Sequence, residues 1–172
     1  MARPPSDAEY TEFVHASWPA LYRTAYLMLG DRGLAEDLVQ TALAKTYASW
    51  GRVRDLGAAR AYARTTMVNT ATSWFRKKGW RNEQPTEHLR EQAYDEDPSV
   101  RPALMEALAR LPLRQRAVVV LRFYDDLSVA ETAHALGCAE GTVKSQTSDA
   151  LTALRALLGE AVVPLESGAT HD

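Results

Sequence analysis

Apolar residues recur at intervals of three and four along nearly the whole chain, and this period restricts the fold more than any other feature. Leu21, Ala25 and Met28 share one helical face, with Tyr22, Tyr26 and Leu29 beside them. The stretch Gly30-Asp31-Arg32-Gly33 breaks that pattern. A second stripe runs through Leu34, Leu38, Val39, Leu43, Tyr47 and Trp50. From about Ala58 to Lys77 neither glycine nor proline intervenes, which predicts a long helix. Helical spacing resumes at Leu104, Leu108 and Leu111, and a last stripe joins Val143, Leu151, Leu154 and Leu158. Only RQRAVVVLRFY reads two ways, since three consecutive valines favour a strand. A lone strand has nothing to pair with, so this run too is read as helix. The expected class is all-α.

Between the two groups of stripes the character changes. RNEQPTEHLREQAYDEDPSVRP is polar, holds three prolines and has no sustained apolar period, which is the composition of a linker. The expected organisation is two small helical domains, residues 8–81 and 103–158. A flexible acidic linker over 82–102 joins them, and a tail follows at 159–172. In a chain of 172 residues, 46% apolar content is enough for a core.

Charge is sorted along the chain in a way the formal net value of −2 conceals. From Arg52 to Arg81 there are eight basic residues against Asp55 alone, and from Glu83 to Asp97 six acids against Arg90. A near-neutral total argues against a histone-like coat on DNA but leaves room for a basic face. Cys138 is the single cysteine, which excludes an internal disulfide and fits a reducing cytosol. The polar start MARPPSDAEY has no signal-peptide core, and no apolar run nears the ~18 residues that span a bilayer. A cytoplasmic protein without membrane insertion is expected. The four histidines lie in separate segments, and no metal-ligand spacing, phosphate-binding loop or nucleophile motif is present. No enzyme, cofactor or metal is expected.

The segment SVAETAHALGCAEGTVKSQTSDALTALR, residues 128–155, carries the most specific local signal. Ser128 with Glu131 fits a capping box. Ala133 is small where two crossing helices meet, and Leu136 and Val143 are spaced to bury between them. Gly137 supplies a left-handed bend. These are the parts of a helix-turn-helix, whose second helix enters a major groove by its N-terminal end. Gly141, Thr142, Lys144, Ser145 and Ser148 are then its outward positions, with hydroxyls and a charge for phosphates and base edges. The alternative is a plain corner of two helices packing a core. Cys138, without a cysteine or histidine at ligand spacing, reads as a small hydrophobe in the bend.

Taken together, the two blocks resemble the extracytoplasmic-function sigma factors of bacterial RNA polymerase, in particular their SigE-like actinobacterial subgroup. The string 35-AEDLVQTALAKTYASW-50 is similar to the family's region 2.2, and 60-RAYARTTMVNTATSWFRKK-78 to regions 2.3 and 2.4. The string 111-LPLRQRAVVVLRFYDDLSVAETAHALGCAEGTVKS-145 is similar to region 4. The resemblance covers about Glu12 to Leu158. It implies that the first domain docks on core polymerase and reads and melts the −10 element, while the second reads the −35 element. Asp37, Gln40 and Thr41, at i, i+3 and i+4, match positions that dock on the β′ clamp helices, and region 4 implies contact with the β flap. The loop Arg52–Gly57 and Asn69 match where the family captures a base flipped from the −10 element. Arg52, Arg54, Arg60, Arg76, Lys77 and Lys78 would contact that DNA, while Trp74 and Trp80 are candidates for base stacking, Trp74 more readily for the core. An anti-sigma factor is the further partner implied.

Two positions depart from the family pattern. Ala139 stands where serine or threonine usually caps the recognition helix, and Asp149 where arginine is common. Fully extended, residues 82–102 reach at most ~70 Å at about 3.4 Å each, equal to two turns of duplex. The rival reading is a stand-alone helix-turn-helix regulator, which would need dimer symmetry and leaves the basic first block unexplained.

Overall fold

The computed structural model describes residues 6–78 and 102–159, and every regular element among them is helical. The acidic linker from 82 as far as Arg101, Trp80, the tail beyond Gly159 and the side chain of Lys78 lie outside the described residues. Seven α-helices follow in order: α1 Asp7–Leu29, α2 Arg32–Ala48, α3 Leu56–Lys78, α4 Pro102–Arg110, α5 Leu113–Val119, α6 Val129–Leu136 and α7 Glu140–Leu158. A short 3₁₀ turn, Trp50–Arg52, connects α2 to α3. No helix among the described residues is long and apolar enough to cross a membrane.

Local chemistry explains where the helices begin and end. Ser6 and Glu9 form a capping box at the start of α1, and Gly30 closes it at φ 71°. Asp31 then caps α2 by accepting from the Leu34 N–H at 2.9 Å. The valine run is helical, as the missing partner strand required. It starts as α5 and widens into a single π turn over Val120–Tyr124, where the Asp125 N–H bonds the Val120 carbonyl five residues back. Asp126, at φ 56°, turns the chain out of this helix, a conformation aspartate tolerates better than most residues.

Most of the stripe residues read from the sequence are buried; Tyr22, Leu34, Leu104 and Leu158 are half-buried, and one is exposed. Leu38, Val39, Leu43 and Trp50 are buried, but Tyr47 is 47% exposed. Its hydroxyl donates to Asp7 Oδ1 at 2.9 Å, and its ring meets Tyr10 edge-on at 4.7 Å. A tyrosine can close a helix pair at the rim because one end is apolar and the other polar.

The sequence did not say whether the two halves touch. They share one continuous core, in which Met28, Val68 and Phe75 of the first half belong to the same buried cluster as Met105, Leu121 and Leu151 of the second. Helix α6 lies along α3, and α5 with its π turn meets α1. Polar contacts also cross the seam. Arg116, only 4% exposed, donates to the Met28 carbonyl at the end of α1 and, within its own half, to the carbonyls of Ala109 at 3.3 Å and Leu111 at 3.0 Å. Its guanidinium also sits 5.8 Å from the Phe75 ring. Thr24 donates to the Asp125 carboxylate, 2.8 Å from one oxygen and 3.1 Å from the other.

Candidate nucleic-acid interface

Helices α6 and α7 form the bend expected of a helix-turn-helix. Ser128 and Glu131 cap α6 reciprocally, at 3.0 and 3.1 Å, and these bonds hold the Glu131 carboxyl below the usual carboxylate range. Gly137 ends α6 at φ 65°. Val143 is fully buried and joins Val118, Val129 and Ala133 in a small cluster that holds α7 against α6. Cys138 is half-buried against that cluster, so its reading as a small hydrophobe holds in part.

With Val143, Thr147, Ala150, Leu151 and Leu154 turned inward, the opposite face of α7 is fixed. Gly141, Lys144, Ser145 and Ser148 are exposed and Thr142 is half-buried. The first four stand at i, i+3, i+4 and i+7, so they form one outward stripe. Exposed Asp149 continues it one turn beyond Ser145. Ala139 has the extended backbone of a cap, φ −74° and ψ 153°, but no side-chain bond to the helix.

The first half presents a second polar surface along α3. Arg52, Arg54, Arg60, Asn69, Arg76 and Lys77 are all exposed. Trp74 is half-buried against the core, which leaves it as packing rather than a free stacking platform. Between the N-terminal part of α1 and the Val53–Leu56 connection lies a cleft of about 490 Å³. Phe13 and Trp50 form its floor, with ring centroids 5.3 Å apart, and Leu56, 61% exposed, stands at its rim. Trp50 is anchored from behind by donating its indole N–H to the Ser6 carbonyl at 3.2 Å.

The cleft includes Arg54 and Arg60 but not Asn69. Nine residues at 100° each put Arg60 and Asn69 on opposite faces of α3, ~13 Å apart along its axis. The loop and Asn69, expected to serve one flipped base, are therefore two separate positions on the surface. Sequence reasoning also missed Glu12 and Phe13, which α1 brings to the cleft from some forty residues away. Their spacing in the sequence carries no signal of that meeting.

Comparison with known proteins matches both halves of the chain. Residues 13–81 match the family Sigma-70 region 2, and residues 101–154 match Sigma-70, region 4. The chain is 44% identical over 150 residues to the RNA polymerase sigma-E factor of Streptomyces coelicolor, covering 86% of this chain and 84% of that one. It belongs to the extracytoplasmic-function sigma factors. The ECF RNA polymerase sigma factor SigM of Mycobacterium tuberculosis is 34% identical over 141 residues, covering 81% of this chain and 71% of the other. A likeness in structure agrees: the sigma factor RpoE of Bartonella quintana, solved in complex with the anti-sigma factor NepR, superposes with a TM-score of 0.68 at 26% identity. That match covers 88% of this chain and 98% of the other.

As a sigma factor, this protein directs transcription initiation by RNA polymerase. On this sigma factor Asp37 and Gln40 are exposed and Thr41 half-buried on α2, beside the buried stripe of Leu38, Val39 and Ala42. That polar strip is rigidly carried, because α2 packs against both α1 and α3.

Proposed function

We propose that residues 8–81 dock on core polymerase and read the −10 element, while residues 103–158 read the −35 element. Asp37, Gln40 and Thr41 would meet the β′ clamp helices, and the second domain the β flap. Gly141, Thr142, Lys144, Ser145 and Ser148 would face the −35 major groove, with Asp149 weakening the contact at the far end of the stripe by repelling phosphate. The observation that carries this reading is the pairing of a capped helix-turn-helix with a separate basic helix in one chain.

Seven residues at 100° each put Asn69 and Arg76 on one face of α3, ~10 Å apart along its axis. That face would meet the −10 element, with Asn69 at a base and Arg76, Lys77 and Lys78 at the phosphates, while Arg60, on the opposite face, would join Arg52 and Arg54 at the backbone beside the loop. The cleft below Leu56 would take one base extruded from the stack, with Phe13 and Trp50 as its apolar floor.

The protein would work in the cytoplasm, catalyse no reaction itself, and be restrained by an anti-sigma factor. The likeness to RpoE, which was solved with NepR, supports that last partner. The test is reconstitution with core RNA polymerase and run-off transcription from genomic fragments. Specific transcripts that need this chain, and share two separated boxes, are expected. Binding of isolated duplex DNA without polymerase, with no transcripts, would instead favour a free-standing regulator.

A further inference from the structure

A groove of about 460 Å³ lies on the seam and draws its lining from both halves. The end of α3 contributes Phe75 and Arg76, the start of α5 with its cap contributes Pro112, Leu113 and Arg114, and α6 contributes Leu136. Four of these side chains are apolar. Arg76 and Arg114 are exposed, and neither makes a hydrogen bond or ion pair among the described residues. No acid among the described residues lines the groove. Buried Arg116, 5.8 Å from the Phe75 ring, adds positive charge behind it. Uncompensated guanidinium groups over an apolar floor suit an occupant that is apolar at one end and acidic at the other.

The chain carries such a stretch beside this groove. Residues 79–101 begin three positions after Arg76 and end where α4 begins, and α4 ends two positions before Pro112. Their run of consecutive acids, Asp95-Glu96-Asp97, directly follows Tyr94. Tyr94 stands eight residues before Pro102, up to ~27 Å of extended chain, against ~13 Å for the length of α4. The stretch can therefore reach back along α4 to Arg114, at the high effective concentration of a group on the same chain.

We propose that Tyr94–Asp97 docks in this groove in the free protein, the tyrosine ring on its apolar floor and the carboxylates at Arg76 and Arg114. The protein then holds its own competitor for nucleic acid at Arg76. Because the groove draws on both halves, the docked stretch also favours the packed form, through contacts that only this form offers. The competition rests on the reading of Arg76 as a phosphate contact; the docking does not.

The test uses the full chain. Arg114→Lys places an amine in the groove, and a carbodiimide joins an amine to a carboxylate in contact with it. Mass spectrometry should locate the join at Asp95, Glu96 or Asp97, and it should disappear in ~1 M salt. Joins spread evenly over Glu83, Glu87, Glu91 and the three later acids, or no join, would overturn the docking. Binding of a single-stranded −10 oligonucleotide without polymerase is read by fluorescence anisotropy. Asp95→Asn, Glu96→Gln and Asp97→Asn together should tighten it about five-fold, the scale of two exposed ion pairs. Glu83→Gln, Glu87→Gln and Glu91→Gln remove the same charge from the same segment and should change it much less. Equal gains would reduce the effect to general electrostatics and overturn the competition. Arg76→Gln in holoenzyme checks the phosphate contact separately. If promoter binding is not weakened there, the competition falls with that reading, while a join at Asp95–Asp97 still upholds the docking.

Discussion

Two buried residues at the seam show how one side chain can serve two halves of a chain. Arg116 stays a cation although burial pushes its pKa down to about 10, because that value is still far above neutrality. Its charge is spent on backbone carbonyls from both halves. Arg116→Met keeps much of the apolar stem but leaves those carbonyls buried without donors. The expected loss is about 3 kcal/mol, read by urea unfolding. Asp125 behaves in the opposite sense. Burial raises its pKa above the ordinary 3.8, outweighing the Thr24 hydrogen bond and the nearby Arg64 charge, which both lower it. A carboxyl with a raised folded pKa binds more protons folded than unfolded. Its stabilising effect is therefore present at low pH and is lost as pH rises from 3.8 through the raised value. Asp125→Asn removes the buried charge and keeps an acceptor for Thr24. Its melting temperature at pH 7 should exceed that of the unaltered protein, and the difference should shrink on acidification. An equal difference at both pH values would mean that Asp125 titrates normally. Neither residue could be singled out from the sequence, since an arginine in RQRAVVV and an aspartate in FYDDLS look like ordinary surface charges.

Helices were the most legible level, because a helix start or stop is written within four residues. Ser128, Glu131 and Gly137 announced α6, and the structure has both halves of the capping box and a positive φ at the glycine. The stripe of outward residues on α7 followed from its buried face by period alone. The π turn over Val120–Tyr124 was not legible, since it depends on what Leu121 and Leu127 must pack against. The weak point of the helix-turn-helix was legible too. Ala139 already holds cap geometry but has no oxygen to offer the first turn of α7. Ala139→Ser should therefore stabilise the protein by about 1 kcal/mol without any backbone change. Thermal unfolding of the two proteins side by side checks it. An unchanged melting temperature would mean that the N–H groups of that turn are already satisfied by solvent.

At the scale of the whole molecule, the seam between the halves conflicts with the task. About 130 described residues packed as one body have a radius of gyration near 14 Å, or ~36 Å across. Two boxes separated by two turns of duplex lie ~70 Å apart. On the proposed assignment of one box to each half, the packed form could not read both, so binding polymerase and promoter together would require the halves to part, within the reach of the segment joining them. The sequence could supply that reach but not the closure, because the seam is built from residues of both halves whose meeting has no local signature. A closed form lowers apparent affinity for polymerase in proportion to how rarely it opens. Thr24→Asp tests this by setting a second carboxylate against Asp125, where the threonine oxygen now stands 2.8 Å from it. Like charges in a buried seam repel strongly, while Thr24 belongs to none of the surfaces assigned to polymerase or DNA. The radius of gyration from solution scattering should rise well above the ~16 Å of a compact chain of this length, and the apparent Kd for core polymerase should fall several-fold. Opening without tighter binding would show that closure does not limit polymerase capture. An unchanged radius would show that the apolar part of the seam holds the halves together by itself.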